Sequence, residues 1–135
     1  MKFIARDTDY AIKSLVFMAR SFRKKARGVI TVDEIVEELR LPERFTRRIL
    51  QRLAKKKILS SYKGKDGGFS FLRSPNKIRL KDVIEVFQGK IDLTNCMLKK
   101  RSCPDIKACT LRKKLKKINL LISKELDNIT IASLL

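Results

Sequence analysis

Residues 31–57 read TVDEIVEELRLPERFTRRILQRLAKKK, and this stretch decides the fold. Thr31 is followed three residues later by Glu34, which is the capping-box pattern at the start of a helix. Pro42 can open a second helix, because the first N–H groups of a helix have no intrahelical partner to lose. A helix, a tight turn and a second helix in this order predict a helix-turn-helix.

The second helix of this stretch separates apolar from basic side chains. Its apolar face is formed by Phe45, Ile49, Leu50 and Leu53. Between residues 44 and 57 there are seven basic residues and no acidic one. Such one-sided charge favours contact with nucleic acid over a merely solvated helix face. Because a helix fits the major groove of B-DNA, we predict that side chains in its first turns reach base edges. These are Arg44, Arg47 and Arg48.

Two short strand-like runs, residues 58–63 and 69–72, enclose a glycine-rich segment and predict a β-hairpin. The glycines of that segment permit positive φ angles and close approach to a phosphate, and Lys63 and Lys65 add electrostatic attraction. An ordinary basic turn would have the same composition. Because the hairpin directly follows the helix-turn-helix, we interpret it as the wing of a winged helix.

The remaining segments are predicted to be mainly helical. Apolar spacing predicts helices over about residues 8–22 and 80–87, whereas residues 90–110 have no sustained period and are predicted to form an irregular loop. A long C-terminal helix carries an apolar seam that would need a partner to cover it. The seam consists of Leu111, Leu115, Ile118, Ile122 and Leu126. The predicted fold is mainly α with a small β-hairpin wing. It forms one continuous domain, with a winged helix-turn-helix in residues 1–75 and the cysteine loop and dimerisation helix in residues 76–135.

The overall charge indicates a polyanionic partner. Lys and Arg number 33 against 14 Asp and Glu, which gives a formal net charge of +19. Neutralising phosphates releases their condensed counterions, so nucleic acid best explains this excess. Net charge does not choose between DNA and RNA, and an RNA-binding protein therefore stays an alternative.

Several other classes of protein are disfavoured by what the sequence lacks. It has no histidine, which removes the commonest general base, and no paired-carboxylate site stands out, so we do not expect an enzyme. The N-terminus lacks the apolar segment of a secretory signal, and no apolar run approaches the ~20 residues needed to cross a bilayer. We therefore expect a cytoplasmic protein with no membrane partner.

Three cysteines, Cys96, Cys103 and Cys109, have C-x6-C-x5-C spacing. This differs from the paired C-x2-C ends of a structural zinc site, but a cysteine-bearing loop can wrap an inorganic cluster. Three thiolates are one ligand fewer than the four that usually hold such a cluster. Because the sequence has no histidine, the fourth ligand would be a carboxylate, a backbone group, water or an exogenous thiol. The carboxylate candidates by residue type are Asp7, Asp9 and Asp105. Spacing alone favours three ordinary free cysteines, because free Cys is usually a small buried hydrophobe.

Taken together, these motifs resemble those of the Rrf-type winged-helix regulators, a bacterial family that includes iron-sulfur biogenesis regulators and nitric-oxide sensors. The resemblance covers nearly the whole chain. It is carried by TDYAIKSL at 8–15, LPERF at 41–45, ILQRL at 49–53, YKGKDGGF at 62–69, LKDVI at 80–84 and the three-cysteine loop. It implies a homodimer with crossing C-terminal helices that binds an imperfect palindrome in promoter DNA. We expect a transcriptional regulator that acts as a repressor.

The resemblance also implies which residues contact DNA. The major-groove positions of the family correspond to Arg44, Arg47 and Arg48, and the wing residue that reaches the minor groove corresponds to Lys63. Thr31 and Tyr10 complete the predicted DNA-contacting set.

A second implication is an iron-sulfur cluster, [2Fe-2S] or [4Fe-4S], that modulates promoter binding and is held by Cys96, Cys103 and Cys109. Asp9 occupies the position of the aspartate that the nitric-oxide sensors supply from the other subunit. Two features depart from the family pattern: the first cysteine gap is longer than usual, and the histidine that completes the cluster in the biogenesis regulators is absent. The alternative is a regulator of the same family without a cluster, either a thiol sensor or an apo-protein.

Overall fold

The computed structural model describes residues 2–25, 28–94 and 107–135. Within these ranges the chain forms five α-helices and one antiparallel hairpin: α1 Arg6–Phe22, α2 Val32–Leu39, α3 Glu43–Lys55, β1 Leu59–Tyr62, β2 Gly68–Phe71, α4 Leu80–Gln88 and α5 Thr110–Asn128. Short 3₁₀ turns lie at Pro75–Lys77 and Ala132–Leu134. None of these described helices is both long and apolar enough to span a membrane. The predicted helical fold with a small hairpin is confirmed.

The helix-turn-helix forms as the sequence predicts. Thr31 Oγ1 accepts a hydrogen bond from the Glu34 backbone N–H at 3.2 Å, and the Glu34 carboxylate accepts one from the Thr31 N–H at 2.8 Å. The predicted capping box is therefore present at the start of α2. The helix ends at Arg40, which has a left-handed backbone with a φ of 50°. Only Arg40, Leu41 and Pro42 separate α2 from α3.

The main core lies where α1 meets α2 and α3. Leu15 and Met18 of α1, Ile35 of α2, and Leu50 and Leu53 of α3 are all 0% exposed. Burying each such side chain contributes about 1.5–3 kcal/mol to folding. Because the apolar face of α3 is used in this way, its basic face must point outward.

The hairpin is tied to the rest of the winged helix through backbone hydrogen bonds. Within it, Leu59 pairs with Phe71. Outside it, the Ile30 N–H donates to the Phe69 carbonyl and the Phe69 N–H donates to the Ile30 carbonyl, both at 2.8 Å. A Cβ at Gly68 would lie 2.5 Å from the Ile30 carbonyl oxygen, so this close approach requires glycine. The wing is therefore joined to the segment that enters α2.

The C-terminal helix has its apolar residues covered only towards its C-terminal end. Ile122 and Leu126 of α5 pack with Leu80 and Ile84 of α4. Four large apolar side chains of α5 stay exposed: Leu111 at 67%, Ile118 at 45%, Leu120 at 65% and Leu121 at 58%. At about 100° per residue the predicted seam stays within an arc of about 80° on one side of α5, but its neighbours change along the helix. Its C-terminal part meets the chain's own core, while Leu111 and Ile118 face outward.

The cysteine region lies only partly within the described residues. Residues 90–94 and 107–109 are not helical, which agrees with the irregular loop predicted there. Cys109 is half-buried and directly precedes α5. Cys96 and Cys103 lie outside the described residues, so the geometry of the three-cysteine loop is not part of this structure.

Candidate nucleic-acid interface

The outward side of α3 carries the arginines that the sequence singles out. Thr46, Ile49, Leu50 and Leu53 are buried, and their spacing of three and four residues fixes which side of the helix faces the core. Exposed side chains lie on the opposite side, namely Arg44, Arg47, Arg48 and Gln51. All three predicted base-contacting arginines are thus presented together on one exposed surface.

The arginines of this surface differ in their neighbours. The Arg47 guanidinium lies 3.2 Å from the Glu43 carboxylate one turn away, and both side chains are at least half exposed. Exposed pairs of this kind contribute only about 0.3–0.5 kcal/mol, so a DNA partner could displace Glu43 easily. Arg44 and Arg48 form no ion pair with any of the described residues. Their guanidinium groups are therefore available for a ligand.

A cleft of about 450 Å³ separates α3 from the wing. Arg47 and Gln51 line its α3 side, Lys63 lines its wing side, and Thr31 and Asp33 lie where α2 begins. The structure thus brings three of the predicted DNA-contacting residues, Thr31, Arg47 and Lys63, to one cleft. Arg44, Arg48 and Tyr10 do not line it.

Tyr10 of α1 lies half-buried against the start of α3. Its ring packs edge-on against Phe45, with 5.5 Å between the ring centroids. The residue thereby supports the N-terminal part of α3, from which Arg44 and Arg48 project. Contact between its hydroxyl and DNA stays a prediction.

Thr31 is engaged in the cap of α2. Its hydroxyl accepts the hydrogen bond from the Glu34 N–H, which leaves the α2 N-terminus ordered at the edge of the cleft. Burial raises the pKa of Glu34, but the hydrogen bonds that its carboxylate accepts from Lys25 and from the Thr31 backbone outweigh this and hold that pKa below its ordinary value of 4.5. A charged Glu34 therefore stabilises the cap at neutral pH.

Arg52 differs from the other basic residues with which the sequence groups it. Its Nη2 donates to the Val86 carbonyl at 2.8 Å, and its guanidinium lies 4.8 Å from the centroid of the Phe87 ring. Its Nη1 is also 4.0 Å from the Asp7 carboxylate. Arg52 therefore links α3 to α4 and α1 rather than facing the cleft. Helical spacing offers a signal for this, because Arg52 lies next to the buried Ile49 side of α3.

Gln51 is a cleft residue that sequence reasoning missed, because only the cations of α3 were considered. It is exposed and lies one helical turn after Arg47. A glutamine amide can donate and accept at once, which is the pattern that reads an adenine edge.

Of the predicted cluster ligands, Asp9 and Cys109 are described. Asp9 lies in the first turn of α1, where its carboxylate is 2.7 Å from the Lys13 ammonium and its side chain is 45% exposed. Cys109 lines a groove together with Lys107, Arg112 and Lys113. The described part of the chain contains no group of three Cys, Asp or Glu side chains that could hold a metal ion. Because Cys96 and Cys103 lie outside it, the predicted ligand set stays a prediction.

Comparison with known proteins decides the family. The chain matches the Rrf2 profile, described as iron-dependent transcriptional regulator, over residues 4–135. This chain belongs to the Rrf2 family. Rrf2 proteins are DNA-binding transcriptional regulators and not enzymes, so the predicted functional class is confirmed.

Relatives and solved structures agree with this assignment. An HTH-type, rrf2-like regulator of Rhodobacter capsulatus is 29% identical over 115 residues, which are 82% of this Rrf2 chain and 77% of the relative. An HTH-type regulator of Aquifex aeolicus is 29% identical over 96 residues, 71% of this chain and 64% of the relative.

Two solved structures share the fold. CymR, described as the global cysteine regulator of B. subtilis, superposes with a TM-score of 0.76 at 19% identity, covering 99% of this chain and 96% of CymR. IscR of T. potens superposes with a TM-score of 0.73 at 21% identity, covering 99% of this chain and 85% of IscR. The predicted winged-helix fold is confirmed by this likeness.

Proposed function

We propose that this Rrf2 protein represses transcription by binding a promoter palindrome as a homodimer. Arg44, Arg47 and Arg48 of each subunit reach base edges in the major groove, and Lys63 at the wing enters the adjacent minor groove. The observation that carries this proposal is the exposed arginine surface of α3 beside a cleft whose far wall is the basic wing. Base-edge contacts by arginine supply sequence specificity, and contacts between the wing and the DNA backbone fix the position of the protein along the duplex.

Dimerisation is supported by the apolar residues that α5 leaves uncovered. Leu111, Ile118 and Leu121 are 67%, 45% and 58% exposed and lie on one side of the helix; we call them the apolar strip. A second copy of α5 that covers this strip would remove it from water in both subunits. The paired arginine surfaces would then meet half-sites about one helical turn, roughly 10 bp, apart.

Promoter binding responds to an iron-sulfur cluster held by Cys96, Cys103, Cys109 and Asp9 of the other subunit. The donor set suits this group, because thiolates are the preferred ligands of iron-sulfur clusters. Bound there, the group would supply sensitivity to oxidants or nitric oxide. Asp9 offers a hard oxygen donor and would be its weakest ligand.

The DNA-binding proposal is tested with genomic promoter fragments. The wild-type dimer should select a palindromic fragment and bind it more tightly than structured RNA at moderate salt. Arg48→Ala should lower discrimination between bases by about 1–3 kcal/mol, whereas Lys77→Ala, an exposed cation of the Pro75–Lys77 turn, should leave it unchanged. A protein that prefers no fragment over random sequence, or that prefers the RNA, would contradict the proposal.

The cluster proposal is tested by anaerobic purification. A brown protein with iron and sulfide in near-equal amounts is expected, and Asp9→Ala should change its absorption spectrum and its stability in air. A colourless protein that still binds the operator would instead favour the cluster-free, thiol-responsive regulator. An unchanged spectrum and air stability in Asp9→Ala would remove Asp9 from the ligand set.

A further inference from the structure

Positive charge is concentrated a second time, on one side of α5. The exposed residues of this cationic flank are Lys107, which precedes α5, and Arg112, Lys113, Lys116, Lys117 and Lys124 of the helix. The exposed Lys114 lies on the side of Ile118 and Leu121 instead and is not part of the flank. The sequence contains no acidic residue from position 107 to position 124. The flank lies on a different helix from the arginine surface of α3, and it is far from both α3 and the wing in the sequence.

The flank and the apolar strip occupy different sides of α5. At about 100° per residue, Lys113 and Lys116 fall on the side of the helix opposite Leu111 and Ile118. Ile122 and Leu126 continue the side of Leu111 and Ile118 towards the C-terminus, where they pack on α4. A second subunit seated on the apolar strip would thus leave Lys113 and Lys116 in solvent.

The positive charge of the flank is not balanced by ion pairs within the described part of the chain. The seven ion pairs found there use other cations: Lys13, Lys25, Arg47, Arg52, Arg79 and Lys81. A carboxylate does stand near the flank, on Asp92, where it accepts hydrogen bonds from the Thr94 N–H and hydroxyl at 2.8 and 2.6 Å. One acid against six cations leaves a strongly positive surface.

Four of these cations also share a groove. Lys107, Arg112, Lys113 and Lys116 line a groove of about 450 Å³ between α5 and residues 92–94. Side chains that converge on a concave surface reinforce one another's field, because the low-dielectric walls focus it. The arrangement suits an extended anionic chain more than isolated counterions.

We propose that the cationic flank binds the phosphate backbone of duplex DNA outside the stretch held by α3 and the wing. The inference rests on the proposed DNA binding, which brings the flanking duplex to the same protein at high local concentration. Charge complementarity selects a polyanion, and phosphodiester contacts release counterions without needing base contacts. The flank therefore adds affinity that depends on DNA length and salt but not on flanking sequence.

The test compares two duplexes with the full-length dimer. One ends at the operator and the other extends it by about two helical turns, roughly 20 bp, on each side. The flank variant carries Arg112→Gln, Lys113→Gln and Lys116→Gln, three cations that line the groove. The matched control carries Lys2→Gln, Lys24→Gln and Lys77→Gln, which removes the same charge from exposed positions elsewhere. Affinity is measured by fluorescence anisotropy over a range of salt concentrations.

The wild type should bind the long duplex more tightly and with a steeper salt dependence than the short one. The flank variant should lose this difference, with the slope of log K against log salt falling by about 0.9 for each lost phosphate contact. Its affinity for the short duplex and its preference for operator over random sequence should not change. Circular dichroism verifies that α5 stays helical.

Three results would overturn the inference. The wild type could bind both duplex lengths with equal affinity, or the matched control could lose as much affinity for the long duplex as the flank variant does. The flank variant could also lose as much affinity for the short duplex as for the long one. Failure of the proposed function is distinguishable, because it appears as a wild type with no operator preference. The length and salt comparison can then still be made on random duplexes.

Discussion

The helices α3 and α5 have similar composition but use it differently. Both are rich in Lys and Arg, with Glu43 the first acidic residue of α3 and none in α5 before Glu125. The apolar residues of α3 are buried inside its own chain, whereas α5 leaves Leu111, Ile118 and Leu121 exposed. Only α3 therefore has its apolar side covered within its own chain. The comparison shows that two basic amphipathic helices of similar composition can serve different purposes, depending on whether the chain itself or another molecule covers the apolar side.

The largest expected effect is on the buried side of α3. Leu50 is 0% exposed, so Leu50→Ala should leave a cavity and lower the free energy of unfolding by about 2–5 kcal/mol. Leu120→Ala, at a 65% exposed position of α5 outside the apolar strip, should change it by less than about 0.5 kcal/mol. Urea denaturation measures both. Similar losses for the two variants would break the comparison.

The next effect concerns the apolar strip of α5. Ile118→Asp would place a charge in the proposed dimer interface twice, so the dissociation constant of the dimer should rise by roughly 10- to 100-fold. Leu120→Asp adds the same charge outside the strip and should leave that constant unchanged. Sedimentation equilibrium checks both variants. A dimer that withstands Ile118→Asp would mean that the strip is not the subunit contact.

A smaller effect is expected at Arg52, whose half-exposed side chain links α3 to α4. Arg52→Met should cost about 1–2 kcal/mol of stability by removing the hydrogen bond to Val86 and the contact over Phe87. Operator affinity should also fall, because α3 loses a tie to α4, but the salt slope should stay the same. Lys63→Ala should instead lower that slope by about one unit, because the wing is proposed to contact the DNA backbone. A slope change in Arg52→Met would show that Arg52 contacts DNA.

The smallest effect is the pH dependence of the α2 cap. The pKa of Glu34 lies below its ordinary value of 4.5, so its contribution to stability is present above that pH and is lost as the pH falls through the lower folded pKa. Glu34→Gln should be less stable than the wild type at neutral pH by no more than about 1 kcal/mol, the scale of a cap. The difference should shrink in acid. Thermal unfolding across the acid range measures it, and a constant difference would contradict the assignment.

Local patterns carried much of the fold prediction. The capping box of Thr31 and Glu34, the apolar face of α3 and the hairpin depend on neighbours a few residues away, and all three are present. The exposed arginine surface followed from the same periodicity, because the core determines which side of a helix faces out.

Other features depend on long-range packing that no local pattern contains. Arg52 was grouped with the exposed cations of α3, but its carbonyl partner on Val86 is 34 residues away in sequence. The seam of α5 was predicted as one surface, yet only Ile122 and Leu126 meet α4. A cluster ligand supplied by the other subunit, as proposed for Asp9, is even harder to predict from local patterns, because it depends on how two chains assemble.

The paired peptide hydrogen bonds between Ile30 and Phe69 leave the hairpin without a hinge of its own. We therefore expect the helix-turn-helix and the wing to move together, as one unit, when a signal reaches the DNA-binding surface. We therefore expect an effector to alter the separation of the two half-sites that a dimer can straddle, while the bases preferred within each half-site stay the same.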